Sequence, residues 1–370
     1  IRQHVRSVGV GPIAFARESR LRAADAAKMC HSLDAVARDR NAADRLADTL
    51  LEEFATIGSR YAVIGMLEGN VRMRNTGSVA GVGQPARVLD VPHHTAAVAE
   101  KRPGSRQHVE QFRAILEARN GGIVRLTLNR GSRFNPLSLD MIRALDDTFA
   151  RLGADASARV IVLAADGKGF CAGHDLKEMR AHSKEPAWQR LMFEACNRLM
   201  LRMTEIPLPI IARVHGIATA AGCQLVAMCD LAVAADTVKF AVSGVNLGLF
   251  CSTPAVPLSR NLPRKQAFEM LVTGEFMDAP AALARGLVNR VVPADRLDAE
   301  VKQLTDSILA KSPAAVAMGK QAFYRQIEMG LDGAYQLAAE TMACNMMAED
   351  AQGGIDAFIA KQPMPAWKGK

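Results

Sequence analysis

A chain of 370 residues with 49% hydrophobic and only 5% aromatic residues has enough apolar mass for one large domain with an appendage, or for two domains, and must fill its core with Leu, Val, Ile, Met and Ala. The net charge of +8 is not gathered into Lys/Arg runs and no RNA-binding signature with interleaved aromatics occurs, which argues against nucleic acid and favours an anionic small ligand. Seven cysteines without a CxxC pair exclude a zinc ribbon, give no disulfide framework and fit a reducing compartment. No apolar run reaches the roughly 18–20 residues of a membrane span; the longest candidate, Gln224 to Ala235, is interrupted by Asp230.

Residues 1–24 are rich in Arg and Ala with Glu18 as their one acid, and read as a weak amphipathic presequence or as a stretch whose true start lies elsewhere. Residues 25–57 carry apolar residues at helical spacing, among them Leu33, Val36, Leu46, Leu50 and Phe54, and predict one or two helices. Residues 69–108 are rich in Gly, Pro and Ser and read as linker or disorder. Within them, Gly81–Gly83 lacks the third glycine of a dinucleotide fingerprint, and His93 and His94 read as solvated loop residues. The domain reading is therefore an N-terminal extension over 1–110, an α/β core over 115–310 and a helical segment over 311–370.

From Gly121 the pattern sharpens. Ile123–Asn129 alternates as a strand, and Leu139–Leu152 is an amphipathic helix with Ser138 placed to cap it. Val160–Gly167 and Leu208–Gly216 are buried strands running into glycine turns, and Cys229–Val242 holds two short strands around a turn at Ala235–Asp236. After Pro263 helical periodicity dominates.

Two strand-to-helix turns carry the candidate chemistry: Gly169–Met179 (GFCAGHDLKEM) and Gly216–Asp230 (GIATAAGCQLVAMCD). Small residues allow a ligand close to the backbone, and each helix start offers unpaired N–H donors with a positive dipole end. Two such donors aimed at one carbonyl oxygen would stabilise the negative charge it gains in reaction. Alternatively, both are ordinary packing turns of an α/β fold.

These segments, with Asn129–Met141 (NRGSRFNPLSLDM) and the tail from Glu349, resemble in order four segments of the enoyl-CoA hydratase/isomerase (crotonase) superfamily. The forms GHDLKEM and FCSTP (Phe250–Pro254) are most similar to its subgroup of hydratase domain-containing proteins. The resemblance covers about Gly121 to Lys370 and implies a core of repeated ββα units, a C-terminal helical trimerisation segment, and a homotrimer or dimer of trimers. It implies an acyl-CoA substrate, with coenzyme A present as part of that substrate and no permanently bound cofactor or metal. By position, the backbone N–H groups of His174 and Ala221 would form the oxyanion hole. Ser132, Arg133, Phe134 and Pro136 would flank the CoA moiety, with Ala172, Asp175 and Leu176 lining the same groove. Arg133 is the expected phosphate partner, and a solvated arginine is the plain alternative.

The sequence departs from the family at the chemistry. Hydratases of the family use two glutamates to hold and deprotonate water. Here their positions carry Gln224 and Gly244, neither of which transfers a proton at neutral pH. Cys251 reads as a buried inert thiol, His215 as a satisfied core histidine, and Lys177 and Glu178 as solvated. His174 looks like the most exposed titratable group near the hole, and its imidazole is a candidate acid or base. Changing both positions back to glutamate is expected to raise hydration. Two functions remain open: a CoA-thioester enzyme without the glutamate pair, or a non-catalytic acyl-CoA binder. The expected compartment is the cytoplasm, with the mitochondrial matrix as the alternative.

Overall fold

The computed structural model describes residues 113–370. The expected extension over 1–110, with its helices, glycine pair and paired histidines, lies outside the described residues. Six strands form one sheet in the order β1-β2-β3-β4-β6-β9, comprising β1 (Ile115–Asn120), β2 (Ile123–Leu128), β3 (Val160–Ala165), β4 (Ile210–Val214), β6 (Leu231–Ala235) and β9 (Arg290–Val292). Only the β1–β2 pair is antiparallel. β3 is buried along its whole length (VIVLAA), as a central parallel strand covered on both faces must be. β1 sits at the edge, where the partly exposed charges of Glu117 and Arg119, paired with Arg151 and Asp155, discourage edge pairing.

A second sheet is small: β5 (Ala218–Thr219), β7 (Lys239–Ala241) and β8 (Met277–Asp278), in the order β5-β7-β8. The two short strands expected in Cys229–Val242 are therefore present as β6 and β7, but they belong to different sheets, and the turn between them carries the chain across.

Eleven helices of α type complete the described residues. α1 (Leu139–Gly153) buries Leu139, Met141, Ile142, Leu145, Phe149 and Leu152 at three- and four-residue spacing. Each such side chain contributes roughly 1.5–3 kcal/mol of burial. The Ser138 hydroxyl accepts from Met141 N at 3.2 Å, the expected cap. Glu178 is not solvated as expected: its Oε2 accepts from Leu139 N at 3.0 Å and so supplies a second acceptor for the same helix start. α2 (Leu176–Ala181) is short, and α3 (Pro186–Glu205) packs on α1, where the Arg202 guanidinium grips Asp146. α4 (Ala221–Met228) enters the core with seven of its eight residues buried.

The remaining helices are α5 (Ser252–Asn261), α6 (Arg264–Thr273), α7 (Ala279–Ala284), α8 (Leu297–Leu309), α9 (Pro313–Gln326), α10 (Leu331–Met346) and α11 (Glu349–Ile359). α9 is anchored by Lys320, whose Nζ donates to Met203 O (2.8 Å), Leu208 O (2.8 Å) and Asp230 Oδ2 (2.7 Å). Asp230 Oδ2 also accepts from Ile210 N at 2.6 Å, so one buried ion pair joins the ends of α3 and α4 to the start of β4. Large apolar side chains on α9–α11 face outward, including Phe323, Leu331, Tyr335, Phe358 and Ile359. Among the described residues no helix is long and apolar enough to cross a membrane, and no group of metal-ligating side chains occurs.

Candidate active site

Two loops meet at the carboxyl ends of β3 and β4. The first runs from Gly169 to Asp175 and the second from Gly216 to Ala221. They are joined main chain to main chain: Phe170 N donates to Ile217 O (2.9 Å) and Thr219 N donates to Cys171 O (2.9 Å). The Thr219 hydroxyl donates to Ala172 O at 3.1 Å. Two glycines make this approach possible. A Cβ on Gly222 would collide with the Cys171 carbonyl oxygen, and one on Gly216 with the Lys168 carbonyl.

The second loop ends in strain. Ala220 has φ 49° and ψ −121°, a combination L-residues rarely adopt, at a cost of order 1–3 kcal/mol. Its N–H donates to Ala241 O (2.9 Å), so the residue is held by the small sheet while the chain turns into α4. Ala221 thus becomes the first residue of a helix, where its N–H has no upstream carbonyl. On the first loop Gly173 has φ +95°, and a Cβ built there would lie 3.2 Å from Ala221 N and 2.8 Å from Ala220 Cβ. The chain on either side of His174 is fixed by Leu137: Leu137 N donates to Gly173 O (2.8 Å) and Asp175 N donates to Leu137 O (3.3 Å). Among the described residues neither His174 N nor Ala221 N donates a hydrogen bond. The two amides assigned to the hole thus lie on touching loops, and both are unpaired.

The expected CoA-side residues gather along the same edge. Ser132 and Arg133 sit on a 3-10 turn (Gly131–Arg133), exposed, and Phe134 follows with φ 60°. Phe134 O accepts from Ala172 N (2.9 Å), and its ring lies over Gly169. Pro136 continues the strip in sequence, and Leu176 stands half exposed at the start of α2. Asp175 caps α2 as expected, accepting from Lys177 N (3.0 Å) and Glu178 N (3.3 Å). Its other oxygen binds Arg133 Nη2 at 2.6 Å. Arg133 is therefore neither a lone surface arginine nor an unencumbered phosphate clamp.

Asn135 was not singled out by sequence reasoning. Its side chain is fully buried. Its Oδ1 accepts from Arg130 N (2.8 Å), while Nδ2 donates to Asp166 O (2.8 Å), Gly169 O (3.1 Å) and Phe170 O (3.1 Å). The residue ties the 131–137 strip to the first loop. Its signal was the Asn-Pro dipeptide, since Asn tolerates the left-handed backbone that its φ of 49° requires.

Side chains with titratable protons are poorly placed for acid–base work. His174 is not the exposed group expected. Its ring packs edge-on against Phe193 (centroids 5.4 Å apart), and burial pushes its pKa down to about 4, leaving it neutral at pH 7. His215 is half-buried: Nε2–H donates to Gly167 O at 2.9 Å and Nδ1 has no acceptor or donor nearby among the described residues. Gln224, on α4, is 3% exposed. Gly244 lies in a 3-10 turn, and a Cβ there would meet Leu249 O at 2.6 Å and Cys251 Sγ at 2.7 Å. The space a side chain at 244 would need is filled by that thiol and carbonyl. Burial raises the pKa of Cys251, and pushes that of Cys223 up to about 12, with Cys251 adding a smaller push. Neither thiol is a ready nucleophile at neutral pH. Restoring glutamate at 244 is thus obstructed, contrary to the expectation that the double change would simply raise hydration.

The sequence profile of the family described as Enoyl-CoA hydratase/isomerase matches residues 118–370. The mitochondrial enoyl-CoA hydratase domain-containing protein 3 of Xenopus laevis is 43% identical over 263 residues, 71% of this chain and 89% of that protein. The human protein of the same name is 42% identical over 246 residues, 66% of this chain and 80% of its own. Among solved structures, an enoyl-CoA hydratase from Mycobacterium smegmatis is 56% identical, with a TM-score of 0.68 over 69% of this chain and 99% of that one. The crystal structure of human enoyl-CoA hydratase domain-containing protein 3 is 40% identical, with a TM-score of 0.67 over 69% of this chain and all of the other.

Proposed function

Because the chain belongs to the enoyl-CoA hydratase/isomerase family, we propose that it is an enzyme acting on an acyl-CoA thioester whose carbonyl oxygen is held between the N–H groups of His174 and Ala221. The observation that carries this reading is the pair of unpaired amides on loops close enough for Gly173 to abut Ala221 N. When a proton leaves the carbon next to the thioester, negative charge moves onto that oxygen, and two fixed donors stabilise it without reorganising. The CoA portion runs along Ser132, Phe134 and Pro136 and past Ala172 and Leu176. Arg133, held by Asp175, offers its remaining N–H groups toward a phosphate. Coenzyme A enters with the substrate and leaves with the product.

With Gln224 and Gly244 in place of the glutamate pair, hydration through paired carboxylates is not the reaction we assign. The reaction is a less demanding lyase or isomerase step that relies on carbonyl polarisation. A second reading is favoured by the neutral His174 and the protonated thiols: the chain binds acyl-CoA without turning it over. Crotonyl-CoA hydration and double-bond isomerisation, followed by absorbance with the purified full chain, separate the two. Turnover at rates of order 1 per second or faster rejects the binder. Micromolar binding of several thioesters with no turnover rejects the enzyme. Failure to bind any thioester rejects both.

The outward apolar side chains of α9–α11 support assembly as a homotrimer or dimer of trimers, since so much exposed apolar surface calls for a covering. Light scattering behind size exclusion reads the state directly. The names of the Xenopus laevis and human relatives carry the word mitochondrial, which supports the matrix alternative over a cytoplasmic placement.

A further inference from the structure

The aim of the His174 amide is set from outside its own loop. Leu137 and His174 form a parallel bridge. In such a bridge Leu137 bonds the two neighbours of His174, through Gly173 O (2.8 Å) and Asp175 N (3.3 Å). The N–H and C=O of His174 itself then face away from the strip. Ala172 N donates to Phe134 O (2.9 Å), which adds a rung two residues upstream. Residues 134–137 therefore decide where the His174 N–H points.

Asn135 lies between these two rungs. Phe134 (φ 60°) and Asn135 (φ 49°) are consecutive left-handed residues, an arrangement that leaves the first 44% exposed and the second fully buried. Inside, Asn135 meets the first loop where the chain leaves β3. Its two Nδ2 hydrogens are shared among the carbonyls of Asp166 (2.8 Å), Gly169 (3.1 Å) and Phe170 (3.1 Å), and its Oδ1 accepts from Arg130 N (2.8 Å). Among the described residues no backbone N–H donates to any of those three carbonyls. One buried amide thus fastens the strip to the chain that leads, four residues on, to His174. Burial keeps water from readily taking over these bonds.

We propose that Asn135 is a positioning residue for the His174 N–H: it holds the first loop where that amide meets the thioester oxygen, without touching the substrate itself. This rests on the acyl-CoA reading given above. A donor stabilises an oxyanion only at about 2.7–3.1 Å, so a first loop released from Asn135 weakens the grip on the oxygen while the contacts to the CoA portion remain.

The test uses the purified full chain with butyryl-CoA isotope-labelled at the thioester carbonyl, and reads the stretching frequency of the bound carbonyl by isotope-edited infrared difference. A carbonyl gripped by two fixed donors absorbs at lower frequency than one in water, and wild type is expected to show that lowering. Asn135→Gly suits the left-handed backbone and removes the whole amide. Asn135→Asp keeps the size and the Oδ1 acceptor but has no N–H. Both variants are expected to lose at least about half of the lowering, while butyryl-CoA affinity stays within about threefold of wild type. Where wild type turns over crotonyl-CoA, both variants lower kcat about 100-fold with KM within about threefold. Lys320→Met, which weakens the fold at the opposite end of β4, keeps the full lowering. A lowering retained in both Asn135 variants, or lost equally in Lys320→Met, overturns the positioning role and leaves the acyl-CoA reading standing. If neither Asn135 variant folds, the residue is a folding determinant and the role is likewise overturned. Butyryl-CoA bound to wild type with an unshifted carbonyl overturns the two-amide hole, and no binding to folded wild type overturns the acyl-CoA reading itself.

Discussion

Replacing Gly173 by alanine tests the two-loop site most directly. The added methyl group would lie 3.2 Å from Ala221 N and 3.1 Å from Thr219 O, in the space next to the unpaired donor. An oxyanion held by that donor needs to sit about 2.7–3.1 Å from it, so methyl and oxygen compete for one place. Two costs to folding accompany the change. The φ of +95° is strained for any residue with a Cβ, at about 1–2 kcal/mol, and contact with Ala220 Cβ at 2.8 Å adds roughly 1–3 kcal/mol of overpacking. The functional cost is of comparable size. Losing one donor lowers turnover about 100- to 1000-fold, equivalent to about 3–4 kcal/mol of barrier. The companion variant Gly173→Ala/Ala220→Gly separates the two effects, because it removes the colliding methyl and relieves the Ala220 strain. Thermal melting should show Gly173→Ala clearly destabilised and the double variant largely recovered. Acyl-CoA affinity and turnover should stay low in both. If folded Gly173→Ala keeps affinity and turnover within about twofold of wild type, or if the double variant regains function along with stability, the reasoning about the Ala221 donor is wrong.

Three further outcomes are expected. Gly244→Glu lowers the melting temperature by several degrees, because its Cβ meets Leu249 O and Cys251 Sγ, and Cys251→Ala recovers part of the loss; a Gly244→Glu protein as stable as wild type would contradict the packing described. Lys320→Met leaves Asp230 without its cation, with Ile210 N and the Tyr324 hydroxyl as neutral partners, and costs about 3–5 kcal/mol in urea unfolding, whereas Lys320→Met/Asp230→Leu costs less than the single change; additive losses would deny the pairing. His174 titrates near 4 when folded and near its ordinary value of 6.5 when unfolded, so the unfolded chain takes up the proton first as pH drops. Stability is then lost between about pH 6.5 and 4, amounting to about 2–3 kcal/mol by pH 4.5, and His174→Gln should lack this component when urea midpoints at pH 7 and pH 4.5 are compared; parallel pH slopes for the two proteins would count against a buried neutral ring.

Local patterns in the sequence were enough to place α1 with its Ser138 cap, the strands at Val160 and Ile210, and both glycine turns, because each is specified by neighbours a few residues away. β1 escaped notice because ILEARN carries charged residues on an exposed edge and lacks the apolar alternation of a half-buried strand. α3 was legible in retrospect: Met192, Ala195, Cys196, Leu199, Met200 and Met203 form a helical stripe. The exposure of His174 was misjudged because the ring that covers it, Phe193, comes from α3, nineteen positions further on. That β6 and β7 join different sheets, that Cys251 fills the room at Gly244, and that Lys320 reaches Asp230 are all long-range facts that no local pattern encodes. The candidate oxyanion donors were assignable by resemblance, whereas their physical cause, a strained alanine and two obligatory glycines, needed coordinates.

The groups that would grip the thioester oxygen belong to the peptide backbone, and this has an evolutionary consequence. No point mutation can delete a main-chain N–H except a change to proline. Side chains at 174, 221, 224 and 244 can be exchanged while both donors persist, provided that the glycines at 173, 216 and 222 stay. Grip and reaction can therefore vary separately: with Gln224 and Gly244 at the positions expected to carry glutamates, the chemistry proposed for this chain can change while the two amides that would hold the thioester oxygen stay in place.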